Sequence, residues 1–588
     1  MRIRSALLAF ATLSLPAGII AVPAFADWPT FGRALCTAPG DQLGPVIASD
    51  GAGGAIVAWQ DRRIFPFNIV AGHVLASGVV DVAWPINGRT LISDSLAGTI
   101  VPQGIESPAI VSDGAGGAIV SWPDGRSSTS GVDIYAHHVL ATGAVDPAWP
   151  VNGTTVCSAI GEQLSPVLIS DGAGGAFIAW TDSRSGTTVN ELDIFAQHVL
   201  ASGAIDPNWP VNGAPVTIAP KAQTQPVLVE DGVGGFFVAW DDLRSGNPGI
   251  DIFAEHVLRS GTVDPAWPVN GVAVSAAPGT QSAPRIVSDG VHGAIVAWTD
   301  TRDGTNQVFA QRVSSTGAIV SGWPVNGRLV SIGGTDEVLP VLAPDGAGGA
   351  IVAWGGGNTG HHNSLAQHLL ASGALDAAWP ATGRSLGFTP SEATNQVIAS
   401  DGAGGAIVAW QQSDDVTQTD IFAQHVLASG ALDAAYPVNG RAVCAVLRPQ
   451  HEPDIVATGD GGAIVTWEDT RDGLNDIYAL QVLQAGTLGV PGPPEPAGVA
   501  FAQPSPNPAR GAVSLRYTLP RDATASLAIF DVGGRRVRLL SSGTQTAGEH
   551  VIAWDQRDDA GRNVGGGLYF ARFEAEGRRL TQKIMALK

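Results

Sequence analysis

Six copies of Trp-x-Asp-x-Arg are the first candidates for chemistry in this sequence: Asp61/Arg63, Asp124/Arg126, Asp182/Arg184, Asp242/Arg244, Asp300/Arg302 and Asp469/Arg471. A carboxylate and a guanidinium two positions apart share one side of a strand end, where they can pair or fix the following turn. Catalysis needs one asymmetric constellation, and this pair is copied, so the spacing predicts a structural role. A histidine also recurs, at His73, His138, His198, His256, His368 and His425, with Arg312 and Gln481 completing the series. Six imidazoles invite a metal reading. They fall in six separate units, however, and Arg312 is a poor neighbour for a cation, so a structural role is expected here too. The loop Asp469–Asp476 has oxygens enough for calcium, but its acids do not alternate as Asp-x-Asp-x-Asp-Gly and Arg471 lies among them. Calcium is thus a candidate by composition alone, and no other cofactor or metal site is indicated.

More informative are two places where the pattern breaks. After Trp354 the Asp/Arg pair gives way to Gly355-Gly356-Gly357-Asn358-Thr359-Gly360-His361-His362-Asn363, and after Trp410 to Gln411-Gln412-Ser413-Asp414-Asp415. Loops carry function when a regular scaffold positions them, so His361, His362, Asp414 and Asp415 are the candidate binding residues. Drift in a tolerant repeat would leave the same mark. No nucleophile elbow, Walker loop or zinc signature occurs, and no catalytic residue is singled out.

The elements that position these residues are repeated. Asp-Gly-x-x-Gly-x-x-x-x-Trp ends at Trp59, Trp122, Trp180, Trp240, Trp298, Trp354 and Trp410, with an eroded eighth copy ending at Trp467. A second series, each aromatic followed by Pro, runs Trp28, Trp84, Trp149, Trp209, Trp267, Trp323, Trp379 and Tyr436. In the third unit Pro166–Ser170 reads as a strand, Asp171–Gly175 as a hairpin turn and Ala176–Trp180 as the return strand. Asp193–Leu200 is the third strand, and Gly203 with Asp206 turns the chain toward a fourth around Trp209. Four short strands per unit, eight times over, predict an all-β chain: an eight-bladed β-propeller at 27–488. An open β-solenoid is the alternative. The N-terminal Trp28–Cys36 either completes the last blade or simply leads into the first, and the sequence leaves both open.

The repeat phrase resembles one found in secreted proteins of Bacteroidetes-like bacteria, "DGxGGxIVAWxDxR…DIYAQ", seen here at Asp171–Arg184 and Asp193–Gln197. The resemblance implies the propeller architecture and carries no activity. A fainter likeness to the sialidase Asp-box fails where Gly directly follows Asp, and no sialidase residue is carried over.

Residues 1–26 read as a signal peptide: Arg2 and Arg4, an apolar stretch from Ala6 to Val22, then Ala24-Phe25-Ala26. This predicts export through the periplasm to the outer surface or medium, with no membrane span in the mature chain. Three cysteines, Cys36, Cys157 and Cys444, occupy one repeat position that elsewhere holds Ile92, Thr217, Ser275, Ser331 and Gly387; a small, half-buried site is expected. The net charge is −21, and the thirteen basic and eight acidic residues of 501–588 plus two leader arginines leave −28 on 27–500. Such a body repels phosphate backbones, which excludes nucleic acid as its partner.

Residues 489–508 are a Pro-rich linker by composition, and 509–588 read as a small Ig-like β-sandwich. Ser505-Pro506-Asn507-Pro508, Ile529-Phe530-Asp531, Gly534–Val537, Ala547–His550, Trp554-Asp555 and Gly567-Leu568-Tyr569 resemble the Ig-like module related to flagellar hook-capping proteins and to type IX secretion sorting domains. The resemblance implies a secretion machinery as partner and surface attachment. A purely structural tail is the other branch. Uniform repeats without a unique constellation point to a non-enzymatic scaffold binding a protein or glycan. The alternative is a polysaccharide hydrolase or lyase at the channel mouth, which would need carboxylates roughly 5–10 Å apart, drawn from loops such as Asp414 and Asp415.

Overall fold

The computed structural model describes residues 28–482 and 500–587, apart from 64–66, 93–106, 128, 187–190, 246–248, 333–335, 359–360, 388–391, 416–417, 502–503, 505–506, 508, 510, 520–522, 546–547 and 576–577. The expected signal peptide and most of the linker lie outside the described residues. Every element is a β-strand, and no described helix is long and apolar enough to cross a membrane.

The first body consists of eight four-stranded antiparallel sheets. In the third, Gln163–Ser170, Ala176–Asp182, Asp193–Val199 and Ala214–Thr217 pair in chain order. The fourth strand thus begins five residues after Trp209, not around it. Trp209 sits in the preceding turn because its indole is needed against the next sheet. The first strand of each sheet packs beside that of the next, and the eighth, Gln450–Ala457, returns to the first, Gln42–Ser49. The eighth sheet takes its fourth strand from the other end of the chain: Arg33–Cys36 pairs with Asp476–Val482. This settles the ambiguity at the N-terminus.

The second strands explain the repeat's apolar phrase. Ala176–Asp182 is buried on both faces, as are its counterparts Ala55–Asp61 and Ala463–Asp469. A strand covered on both sides reads as a continuous apolar run, not as an alternation. Neighbouring sheets are cemented by the Trp-Pro series. Trp149 lies on Gly203 of the next sheet so closely that a Cβ there would fall 2.6 Å from the indole. Its Nε1 donates to Ala201 O at 3.1 Å. Trp28 lies on Gly78 in the same way, so the N-terminal segment supplies the eighth sheet with its aromatic as well as its strand.

The C-terminal body has a three-stranded sheet (Ala500–Phe501, Val513–Leu519, Gly548–Trp554) and a four-stranded one (Arg536–Gln545, Ala523–Asp531, Gly567–Ala575, Arg578–Ala586). Tyr517, Trp554 and Phe573 fill its core, the first and last stacked at 4.2 Å. Its hydrogen bonding starts inside the Pro-rich stretch, because Phe501 buries its ring against Phe573.

Two glycines with similar backbone test the cement. Gly172 (φ +70°) has open space around a notional Cβ, whereas Gly203 (φ +78°) faces Trp149. Gly172→Ala is expected to cost about 1–2 kcal/mol for the left-handed backbone alone, and Gly203→Ala clearly more, read from denaturant unfolding. Trp467→Ala removes a fully buried indole and should cost about 3–5 kcal/mol.

Candidate functional site

Two carboxylate nodes recur in the sheets and absorb most of the polar residues that the sequence brings forward. At the first, Asp171 closes the hairpin turn: its Oδ1 accepts the N–H groups of Ala173 and Gly175 at 2.7 and 2.8 Å. Its Oδ2 meets His198 Nε2 at 3.0 Å, and His198 Nδ1 meets Asp206 Oδ2 at 2.9 Å. One imidazole thereby ties the first hairpin of the sheet to the turn after the third strand. The same Asp–His–Asp bridge forms at His73, His138, His256, His368 and His425. Hydrogen bonds from His198 and two backbone amides hold Asp171 below the usual carboxylate range against its burial, and the two carboxylates raise His73 against its own. In the fifth sheet Arg312 bonds Asp289 at 2.9 Å, and the second acid is replaced by Val320. A permanent cation needs one carboxylate where an imidazole takes two. The histidines stay in six separate sheets, and among the described residues no group of three or more metal-ligating side chains is arranged to hold an ion.

At the second node Asp182 accepts the indole N–H of Trp180 at 2.7 Å and the backbone N–H of Arg184 at 2.9 Å, and it pairs with the guanidinium. Arg184 lies 3.8 Å over the Phe195 ring and reaches Asn212 O and Cys157 Sγ. The Asp/Arg pair therefore fixes the strand end, as expected from its repetition. The cysteines are fully buried beneath it, not half-buried, because the arginine closes over them; burial pushes the Cys36 and Cys157 thiols up to about 11. In the seventh sheet Gln412 replaces the Asp and accepts the Trp410 N–H at 2.9 Å. In the sixth, Gly356 leaves the buried Trp354 Nε1 without a partner among the described residues.

These two sheets have longer second and third strands, Ala350–Asn358 with His361–Leu369 and Ala406–Asp415 with Gln418–Val426. His361 pairs with Asn358, and Asp415 with Gln418, so all four candidate residues sit at hairpin tips. Their side chains lie outside the described residues.

The clearest break from the repeat lies elsewhere. Where the first strands of the eighth, first and second sheets come together, a cavity of about 490 Å³ is lined by Gln60, Arg62, Ser107, His451, Glu452 and Glu468, with Leu43 and Gly44. Glu468 is 6% exposed and accepts the Gly44 N–H at 2.7 Å across the ring's closing seam. Burial, reinforced by Glu452, pushes it up to about 7. Glu452 is exposed and accepts from Asn395 Nδ2 at 3.3 Å. Gln60 Oε1 accepts from Arg62 Nε at 3.0 Å, and burial lowers the pKa of His451. A second acid, Asp454, accepts the Ile47 N–H at 3.1 Å and is raised to about 6 by burial. The signal for this cluster was present in the sequence. His451-Glu452-Pro453-Asp454 stands where the third unit reads Leu164-Ser165-Pro166-Val167, and Glu468 fills the variable place of Trp-x-Asp.

One further buried position varies. Gln197 Oε1 accepts the His198 N–H, and its Nε2 donates to Pro210 O at 2.9 Å; Gln311, Gln367 and Gln424 repeat this. Glu255 takes the place in the fourth sheet, and burial pushes it up to about 8, so at neutral pH it is mostly a neutral acid.

The C-terminal body matches the FlgD Ig-like domain over residues 507–578. No curated protein matches the chain. Among solved structures, an ulvan lyase of a polysaccharide lyase family is 10% identical over 77% of this chain and 96% of its own, with a TM-score of 0.39. An α-L-arabinanase of Penicillium chrysogenum is 14% identical over 56% and 94%, with a TM-score of 0.33. A protein of unknown function from Dyadobacter fermentans is 10% identical over 54% and 93%, with a TM-score of 0.31.

The acids set a pH dependence. Glu255, Asp241, Glu468 and Asp454 are raised, to about 8, 7, 7 and 6, so the folded chain binds more protons than the unfolded one above pH 4 and loses stability as pH rises. Raised His73 acts in the same direction above its ordinary value, and lowered acids such as Asp171 remove stability at strongly acid pH. Lowered His137 and His451 act the other way only up to the ordinary histidine value, so melting temperature should fall from about pH 6.5 to about pH 8. Glu255→Gln should raise it at pH 8 and change little at pH 5.

Proposed function

We propose that the eight sheets form an eight-bladed β-propeller that is exported and binds a glycan, without turnover, at the mouth of its axial channel. The observation that carries this reading is the cavity at the closing seam. Two carboxylates, a guanidinium, an imidazole, an amide and a hydroxyl converge there, whereas the repeated Asp/Arg and Asp–His–Asp nodes hold strand ends and turns. Such a set of donors and acceptors suits the hydroxyls of a sugar, which both give and accept hydrogen bonds. In this reading the long hairpins of the sixth and seventh sheets contribute His361, His362, Asp414 and Asp415 to the same ligand. Calcium has no role in it. A protein ligand remains the variant that a glycan panel would reject.

A second reading, hydrolysis or elimination of a polysaccharide, is favoured by one specific feature. Glu468, raised to about 7, shares the cavity with Glu452, whose carboxylate is exposed. An acid poised near neutrality beside a second carboxylate is the arrangement from which glycoside cleavage is built. The Ig-like body would then serve, in either reading, as the module for secretion and surface attachment, and residues 1–26 as the export signal.

The two readings separate on one polysaccharide panel. Binding without product, weakened about tenfold or more by Glu468→Gln or Glu452→Gln, supports the scaffold. New reducing ends or unsaturated products, abolished by Glu468→Gln or by Asp414→Asn or Asp415→Asn, support the enzyme. Neither binding nor product from any polysaccharide rejects both. For the tail, a chain lacking 489–588 should keep the melting temperature of the ring and accumulate in the periplasm. Normal amounts at the cell surface would reject the sorting role.

A further inference from the structure

A cavity of about 520 Å³ lies between the first and second sheets, lined by Thr90, Leu91, Val145, Asp146, Trp149 and Val151 among others, and by the ring of His137. His137 occupies the place of the buried glutamines. Its Nδ1 accepts the His138 N–H at 2.9 Å, as Gln197 Oε1 accepts that of His198. The ring proton must then sit on Nε2. The glutamines spend their second polar atom on the carbonyl of the Trp-Pro proline. His137 Nε2 makes no hydrogen bond to any described residue, although the side chain is 1% exposed and stacks on Trp149 at 6.1 Å. Where the repeat's glutamine spends this second polar atom on a backbone carbonyl, His137 turns it toward the cavity. The fourth strand beside it is also cut short: Arg89–Thr90 has two residues where Thr154–Cys157 has four.

We propose that this cavity is a binding site for a neutral sugar, with His137 Nε2–H donating to a ring or hydroxyl oxygen. Burial, with His138 next to it, pushes the His137 pKa down to about 4, so the donor is uncharged and gives an anion little reason to bind. Asp146, already holding His138 at 2.8 Å, repels anions as well. Leu91, Val145, Pro147 and Val151 make the rest of the wall largely apolar. A hydroxyl satisfies both polar ends: its oxygen accepts from Nε2–H, and its hydrogen donates to Asp146 or Thr90. The C–H face of the sugar covers the apolar wall. The volume falls within the roughly 300–1,000 Å³ of small-molecule sites. This site is separate from the cavity at the closing seam and does not depend on it.

The test uses the full chain labelled with ¹⁵N-histidine, titrated with glucose, galactose, xylose and their β-linked disaccharides. At least one sugar should shift the His137 ring signals in a saturable way. His137→Gln, which restores the repeat residue and its bond to the proline carbonyl, should weaken that binding about tenfold or more while the melting temperature stays or rises. Thr90→Val should weaken it less. Glu468→Gln should leave it unchanged, which separates this site from the seam. No saturable shift with any neutral sugar, or undiminished binding in His137→Gln, would overturn the proposal. So would a response to the short peptide Ac-Ala-Val-Ala-NH₂ and to no sugar.

Discussion

A sheet that is apolar on both faces cannot stand at the end of a row, and everything else in the ring follows from that constraint. Ala176–Asp182 buries every residue and its counterparts nearly all of theirs, so each sheet needs a neighbour on either side. Eight sheets meet the need by returning to their start, and the return is made by Arg33–Cys36 pairing with Asp476–Val482. The two ends of the ring are held by main-chain hydrogen bonds within one sheet, with Trp28 lying on Gly78 as a second fastening. Opening the ring would expose the apolar faces of two sheets at once.

Within that frame the polar residues are largely occupied with holding strand ends. Asp171 joins donors of its own turn to His198 on the third strand, and Asp182 gathers Trp180 and Arg184 at one strand end, at positions where an unpaired amide would be buried. The exceptions show the physical rule. Arg312 replaces a histidine only where Val320 replaces the second acid, keeping the charge balanced. Gln412 replaces an aspartate where the following arginine is also gone, and still accepts the indole N–H. Gly356 abandons the acceptor, and Trp354 is left with a buried N–H.

Asymmetry enters where the two chain ends meet. Glu468 and Asp454 reach across from the eighth sheet to amides of Gly44 and Ile47 in the first. Burial pushes both carboxyls up, and Glu452, His451 and Arg62 stand beside Glu468; at the junction of the fourth and fifth sheets the buried Asp241 and Arg285 stand at the matching positions, and burial shifts both of these too. Closure and candidate chemistry thus share the same residues. His137 is a different kind of departure, a single exchange of a flexible amide for a rigid ring that leaves one N–H facing a cavity.

The chain alone made legible the repeat, the four-strand unit, the hairpin turns and the all-β class, because these depend on local pattern: glycines suited to tight turns, apolar runs and a recurring tryptophan. It also determined that the Asp/Arg pairs and the histidines are structural, since repetition argues against a unique site. The Ig-like tail was legible from its motifs and is matched over 507–578. Packing in three dimensions settled that Trp28–Cys36 completes the eighth sheet, that Trp209 belongs to a turn, and that the cysteines lie fully buried under arginines. It alone joined Asp171 to His198 and Asp206, and Glu468 to Gly44. Glu468 and Gly44 are 424 positions apart, and no local pattern records a contact made by ring closure. That is why His451, Glu452 and Glu468 could be marked in the chain as departures from the repeat, but that they line one cavity with Gly44, Gln60 and Arg62 followed only from bringing the two ends together.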